Sequence, residues 1–281
     1  MSVAPFRVGV GALVVSLCSL SGCADQTVAP PVVQRAPARS VPTSDLVGLP
    51  PSGAWSPRAP LPTARYGLVA TVFDGRIYTV GGATALVEFQ TVGAVATNVV
   101  EVYDPSTNSW SEAAPTPFGH VYANGVSVID GKLYLPGGAG CDAPGCGGST
   151  ALYIFDPADG PLGSWTLGPS MPIPIHGGTG GAINGKLYVL AGWSVGAPRN
   201  RFFRFDPATS EWTELAPSPH GHTFGASAVL DDRFYATGAE GITSFLDIYD
   251  PATDTWTSRV MPVGYQHHSA IAAKCIRRLA R

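Results

Sequence analysis

Charge is scarce in this chain. Lys, Arg, Asp and Glu make up 13% of the 281 residues and the formal net charge is −3, where an average soluble domain carries about 25% charged residues. No basic cluster precedes the last few residues, so the electrostatic footprint of a nucleic-acid binder is missing. A membrane-spanning helix is excluded at the N-terminus, because the apolar run Val8–Leu20 falls short of the about 20 residues a bilayer requires. Cysteine is limited to 5 residues, and no nucleophile, base and orienting acid stand out as a recognisable set. The abundant residues are 34 Gly and 26 Pro in a chain that is 45% hydrophobic. That balance provides both a core and many turns, which favours an ordered all-β fold over disorder. The length allows one large domain or two small ones.

The N-terminus has the build of an export signal. One positive charge in Met1–Arg7 precedes the apolar run, and Leu20-Ser21-Gly22-Cys23 follows. These four residues resemble the lipobox of bacterial lipoproteins. The resemblance implies removal of residues 1–22, diacylation of Cys23 and anchoring to a membrane, with Ala24 directing the protein to the outer membrane or cell surface where the cell is Gram-negative. Residues 23–54 are rich in Pro and Ala, including Pro30, Pro31, Pro37, Pro42, Pro50 and Pro51. With few donors and little periodicity, this stretch is expected to be a tether.

Beyond the tether the chain repeats itself. Trp55, Trp110, Trp165, Trp212 and Trp256 recur at intervals of 44 to 55 residues, with the same signals in the same order between them. Each unit has a turn pair and a basic residue: Asp74-Gly75-Arg76, Asp130-Gly131-Lys132, Asn184-Gly185-Lys186 and Asp231-Asp232-Arg233. Such pairs tolerate the positive φ of a type I′ hairpin, the Asp-Asp pair least readily. A Tyr follows two residues later, at 78, 134, 188 and 235. Small residues then end the strand, as Gly81-Gly82 and Gly137-Gly138 do in the first two units. A variable loop leads to an aromatic followed by Asp-Pro, at Asp104, Asp156, Asp206 and Asp250, and then to the next Trp.

Turn pair, Tyr, double Gly, aromatic-Asp-Pro and Trp in units near 50 residues resemble the kelch repeat, whose units are β-propeller blades. The resemblance covers residues 55–273 and implies an all-β, kelch-type propeller of four complete four-stranded blades plus an incomplete fifth. It gives Trp110, Trp165, Trp212, Trp256, Gly81, Gly82, Gly137 and Gly138 blade-building roles. Met261-Pro262 and Gln266–Ser269 start a fifth unit, but an aberrant basic tail, residues 274–281, replaces its hairpin and Asp-Pro. A blade without its two middle strands leaves strand edges and a sheet face open, so self-association through this incomplete blade is an expectation.

Strand alternation puts the hairpins and Asp-Pro turns on one face and all the loops of variable length on the other. The variable-loop face is the expected binding face. The starts of the inner strands lie there too, with Arg65, His120, His176, His220, His222, His267 and His268, joined by Arg199 and Glu240 on the loops. Spacing alone does not converge three metal ligands, so no metal or other cofactor is expected. Cys141 and Cys146 flank a four-residue loop segment, and an exported chain meets oxidising conditions, which predicts a disulfide between them.

The expected function is binding of a protein or glycan partner. Two enzyme alternatives come from kelch-type propellers. A galactose oxidase-like copper centre has only a superficial match at Tyr265, His267 and His268. A sialic-acid epimerase-like site would use Arg65 and Arg199 on a carboxylate and Glu240 as base. A truncated, inactive fragment is the remaining alternative. No catalytic residue is assigned.

Overall fold

The computed structural model describes residues 56–84, 96–139, 147–193, 197–238 and 245–261. The chain divides into two units, Met1–Trp55 and Ser56–Arg281, and every described residue lies in the second. Cys23, Cys141, Cys146, Glu240, Tyr265, His267, His268 and the fifth repeat beyond Met261 lie outside the described residues. Among the described residues no helix is long and apolar enough to cross a membrane.

Sixteen strands form four antiparallel sheets, each taking its strands in chain order from inner to outer. The first blade holds β1 (Val69–Phe73), β2 (Arg76–Val80), β3 (Val100–Asp104) and β4 (Ser109–Glu112). The second holds β5 (Ser127–Ile129), β6 (Lys132–Pro136), β7 (Leu152–Asp156) and β8 (Ser164–Leu167). The third holds β9 (Thr179–Ile183), β10 (Lys186–Leu190), β11 (Phe202–Asp206) and β12 (Glu211–Leu215). The fourth holds β13 (Ala226–Leu230), β14 (Arg233–Thr237), β15 (Phe245–Asp250) and β16 (Thr255–Val260). Inner strands adjoin in sequence, β1 beside β5, β5 beside β9 and β9 beside β13, which makes a four-bladed propeller arrangement.

The turn chemistry explains the registers. Asp74 and Gly75 have φ of 48° and 70°, and even Asp231 and Asp232 adopt 50° and 56°. The hairpins are accordingly two-residue turns, with Phe73 opposite Arg76, Ile129 opposite Lys132, Ile183 opposite Lys186 and Leu230 opposite Arg233. Each hairpin's basic residue then reaches the Asp of the same blade's Asp-Pro turn. Arg76 lies 3.2 Å from Asp104, Lys132 3.0 Å from Asp156, Arg233 2.8 Å from Asp250, and Lys186 pairs with Asp206. Hydrogen bonds from Ser106 hold the Asp104 carboxyl below the usual range, and Lys132 and Lys186 do the same for Asp156 and Asp206. The hairpin face thereby neutralises its own charges four times over.

Between blades the core is continuous. Tyr78, Val80 and Val102 meet Leu133, Leu135 and Phe155 at the first junction. Tyr134 and Leu152 meet Leu187, Phe203 and Phe205 at the second, and Tyr188 and Phe202 meet Phe234 and Tyr249 at the third. Each Trp packs about 5 Å from the aromatic before Asp-Pro. Its indole N–H donates to a carbonyl leading to the inner strand of its own blade: Trp110 to Ala59, Trp165 to Ala114, Trp212 to Pro169 and Trp256 to Ala216. The double Gly is needed on two counts. Gly81 and Gly137 have φ of 65° and 64°, and a Cβ on either would fall 2.4 or 2.5 Å from the carbonyl oxygen of His120 or Ile175 in the next blade.

Among the described residues, one flank lacks this cover. Val72 and Ile77 of the first blade are 64% and 37% exposed, whereas Leu133, Leu187 and Phe234, which match Ile77 in the other blades, are fully buried.

Candidate functional site

The loop-bearing face is organised by the residues that enter each inner strand. Gly67, Tyr122, Gly177 and Phe224 occupy matching positions, with φ of 63°, 53°, 61° and 54°. They form a chain of backbone hydrogen bonds from blade to blade. Tyr122 N–H donates to Gly67 O at 2.9 Å, Gly177 N–H to Tyr122 O at 2.7 Å and Phe224 N–H to Gly177 O at 2.5 Å. Glycine tolerates the left-handed conformation, but bulky aromatics rarely adopt it, so Tyr122 and Phe224 are held there by their surroundings. The alternation has a steric basis. A Cβ on Gly67 would lie 2.9 Å from the Tyr122 ring, and one on Gly177 would lie 2.5 Å from the Phe224 ring. Each aromatic therefore sits over the glycine of the preceding blade.

An aromatic strip results. Ring centroids of Tyr66 and Tyr122 are 6.2 Å apart, those of Tyr122 and Phe224 5.0 Å, and those of Phe224 and His176 6.3 Å. His176 is paired through its backbone to Trp193, which is 40% exposed with the Arg199 guanidinium 4.0 Å above its ring. Phe118, on the approach to β5, is 64% exposed. A strip of half-buried rings with a cation at one end can stack against planar or apolar ligand surfaces.

One residue before this strip in the first blade, and at the matching positions elsewhere, the side chains turn inward. Arg65, His120, Ile175 and His222 are equivalent, and each meets the third-strand residue three before the Asp: Glu101, Tyr153, Phe203 or Asp247. In the first blade the Arg65 guanidinium pairs with Glu101, both side chains being essentially buried, and it donates to Thr79 Oγ1 at 2.8 Å. Thr63 Oγ1 donates to the same carboxylate at 2.8 Å. In the second blade His120 stands edge-on to Tyr153 at 5.0 Å. Ile175 and Phe203 share the second interblade cluster. In the fourth blade His222 Nε2 lies 2.9 Å from Asp247.

Of the residues expected on the binding face, then, Arg65, His120 and His222 have their side chains inside the protein. His176 and Arg199 lie in or beside the aromatic strip. Arg65 is engaged by Glu101 and is not presented to a ligand carboxylate. His176 falls one residue out of step with His120 and His222, because Ile175 takes the inward position of its blade. Tyr122, Phe224, Trp193 and Phe118 carried no functional expectation. The sequence signal for the first two was an aromatic where the neighbouring repeats have Gly. Among the described residues no group of His, Cys, Asp and Glu is arranged to hold a metal ion.

Burial pushes the His120 imidazole down to about 4 from its ordinary 6.5, against the smaller opposing influence of the Gly137 backbone. The folded protein therefore holds His120 neutral, while an unfolded chain takes up its proton near pH 6.5. Below that pH the unfolded state binds more protons, so stability falls as pH drops from 6.5 to about 4 and is fully present above 6.5. The shift corresponds to about 3 kcal/mol. Urea titrations at pH 7 and pH 4.5 are expected to show this loss, reduced in His120→Ile, which carries the residue the third blade has there.

The fold is a β-propeller of four-stranded blades, and two stretches of the chain carry a recognised repeat. The Kelch motif matches residues 64–117 and 174–219. The chain is similar to the Kelch-like protein terF of Aspergillus terreus, 28% identical over 235 residues that span 79% of this chain and 50% of that protein. It is also 32% identical over 181 residues to Kelch repeat and BTB domain-containing protein 12 of Danio rerio, covering 58% of this chain and 28% of that one. The chain thus spans half or less of these relatives' own lengths. Among solved structures, YjhT superposes with a TM-score of 0.56 at 19% identity, covering 72% of this chain and 67% of its own, a likeness of fold.

Proposed function

We propose that this kelch-repeat propeller is a binding module, exported and anchored through Cys23, that engages a protein or glycan partner with its loop-bearing face. The observation that carries the reading is the contrast between faces. The hairpin face pairs its charges internally four times, while the opposite face presents the strip Tyr66–Tyr122–Phe224–His176 with Trp193 and Arg199 beside it. Exposed aromatics and Arg on a rigid scaffold have the composition of interface hot spots. Kelch repeats in the similar proteins favour a protein partner, and aromatic stacking serves a glycan equally well. The exposed Val72 and Ile77 support self-association as a further mode.

The test is capture from cell-surface extracts alongside a glycan array, with the mature chain as bait. Trp193→Ala and Phe118→Ala are expected to weaken the captured interaction by about tenfold or more with little change in melting temperature. Arg76→Ala on the hairpin face is expected to leave it intact. A ligand bound equally by all three variants would place binding elsewhere. Loss of detergent-phase partition in Cys23→Ser tests the anchor.

A further inference from the structure

The fourth blade buries a carboxylate between two imidazoles. Asp247 on β15 is fully buried and lies 2.9 Å from His222 Nε2, 3.1 Å from His220 Nδ1 and 2.5 Å from Ser258 Oγ. His222 is fully buried as well, and its other ring nitrogen, Nδ1, lies 3.0 Å from the carbonyl oxygen of Gly238. A carbonyl can only accept a hydrogen bond, and so can an ionised carboxylate. Both nitrogens of His222 must then donate, which only the imidazolium does. Burial works against the charge on Asp247, but hydrogen bonds from His222, Ser258 and His220 outweigh it and hold the carboxyl below its ordinary range.

The first blade gives the same positions a permanent solution. There Thr63 stands where His220 stands, Arg65 where His222 stands and Glu101 where Asp247 stands, and the guanidinium neutralises the carboxylate at any physiological pH. A neutral His222 would leave the buried Asp247 with only the partly exposed His220 as a titratable donor beside it. The two outer blades thus share one charge-balanced design, and only in the fourth can its cation lose a proton.

We propose that His222 is a doubly protonated imidazolium in the folded protein and that it acts as a pH-sensitive latch. It ties the approach to β13 both to β15, through Asp247, and to the point where β14 leaves for the loop face, through Gly238. Raising the pH removes one ring proton and frees one of those two acceptors, so the latch is closed at low pH and opens at high pH. The groups around it are consistent with that direction. His220 lies flat on Phe245 at 3.5 Å and is the cluster's contact with solvent, its side chain being 28% exposed. Ser258 on β16 donates to Asp247, and Arg199 lies against Gly221, where an added Cβ would be 3.3 Å from the Arg199 Cβ and 3.7 Å from its carbonyl oxygen.

The experiment is nitrogen-15 NMR of histidine-labelled full chain between about pH 6 and 9, combined with amide exchange. One histidine is expected to hold both ring protons at pH 7 in wild type and to lose one as pH rises. Over the same range the protection of β14 and β15 amides should drop tenfold or more. Asp247→Asn should leave His222 with the single proton that faces Gly238. His222→Arg, the first blade's solution, should abolish the pH dependence of β14 protection. If that variant does not fold, His220→Gln, which keeps both bonds of His222, assigns the signal by elimination. A singly protonated His222 at pH 6 in wild type overturns the proposal, as does protection that stays flat while the proton is lost.

Discussion

Glu101→Ala is expected to lower the unfolding free energy by about 3–5 kcal/mol, because it leaves the Arg65 guanidinium buried without its counter-charge. For a domain of this size that is a drop of roughly 10 °C in melting temperature. Thr79 Oγ1 remains as a neutral acceptor for Arg65, and Thr63 loses its acceptor altogether. The third blade supplies the control, since it fills the same two positions with Ile175 and Phe203 and packs them in an apolar cluster. Arg65→Ile combined with Glu101→Phe removes both charges together, and is expected to lose far less than either single change. Denaturant midpoints of the two singles and the double give the coupling directly. A Glu101→Ala loss below about 1 kcal/mol would show that water reaches Arg65 and that the pair is not buried in solution.

The second large effect is Phe202→Ala. This ring is fully buried where the third and fourth blades meet, with Phe234 at 5.2 Å, Tyr249 at 4.8 Å, Trp256 at 4.9 Å and Tyr188 at 5.7 Å. Truncation empties a site whose walls are aromatic rings held by their own hydrogen bonds. Trp256 donates to Ala216 O at 2.8 Å and Tyr249 to Asp254 at 2.7 Å, so collapse into the space is resisted. Burial and the contact with Asp254 push the Tyr249 hydroxyl up, which keeps it a donor. The expected cost is about 3–5 kcal/mol. Phe202→Leu places there the residue found at Leu152 and Leu246 in the neighbouring blades, and is expected to cost about 1–1.5 kcal/mol. Equal losses for Leu and Ala would mean that the aromatic contacts, and not the filled volume, hold this junction.

The repeat also shows co-variation inside one chain. Where the aromatic before Asp-Pro is Tyr103 or Tyr249, its hydroxyl donates to Asn108 or Asp254, whose side chain also accepts from the backbone N–H of Ala59 or Ala216. Where it is Phe155 or Phe205, the matching residue is Gly163 or Ser210. A Tyr needs an acceptor when its ring is buried and a Phe does not. This pairing was present in the letters, but its meaning required knowing that the two residues face one another.

By itself the sequence determined the sheets, because strand ends and hairpins are local matters: the turn pairs impose positive φ, Pro closes the ladder after Asp104, Asp156, Asp206 and Asp250, and Trp opens each outer strand. Partners distant in the chain were decided only by the tertiary structure. Arg65 and His222 are polar residues at the start of a strand, which in sequence look like a surface, yet each side chain is buried against the third strand of its own blade, paired with Glu101 or Asp247. His176 falls in line with His120 by letter and out of line by structure, because the left-handed residue that follows each inward position sets the frame, and that residue is Tyr122 in one blade and Gly177 in the next. Tyr122 and Phe224 became a continuous strip only when each ring settled over a glycine of the preceding blade, a contact between residues some fifty positions apart that no local propensity encodes.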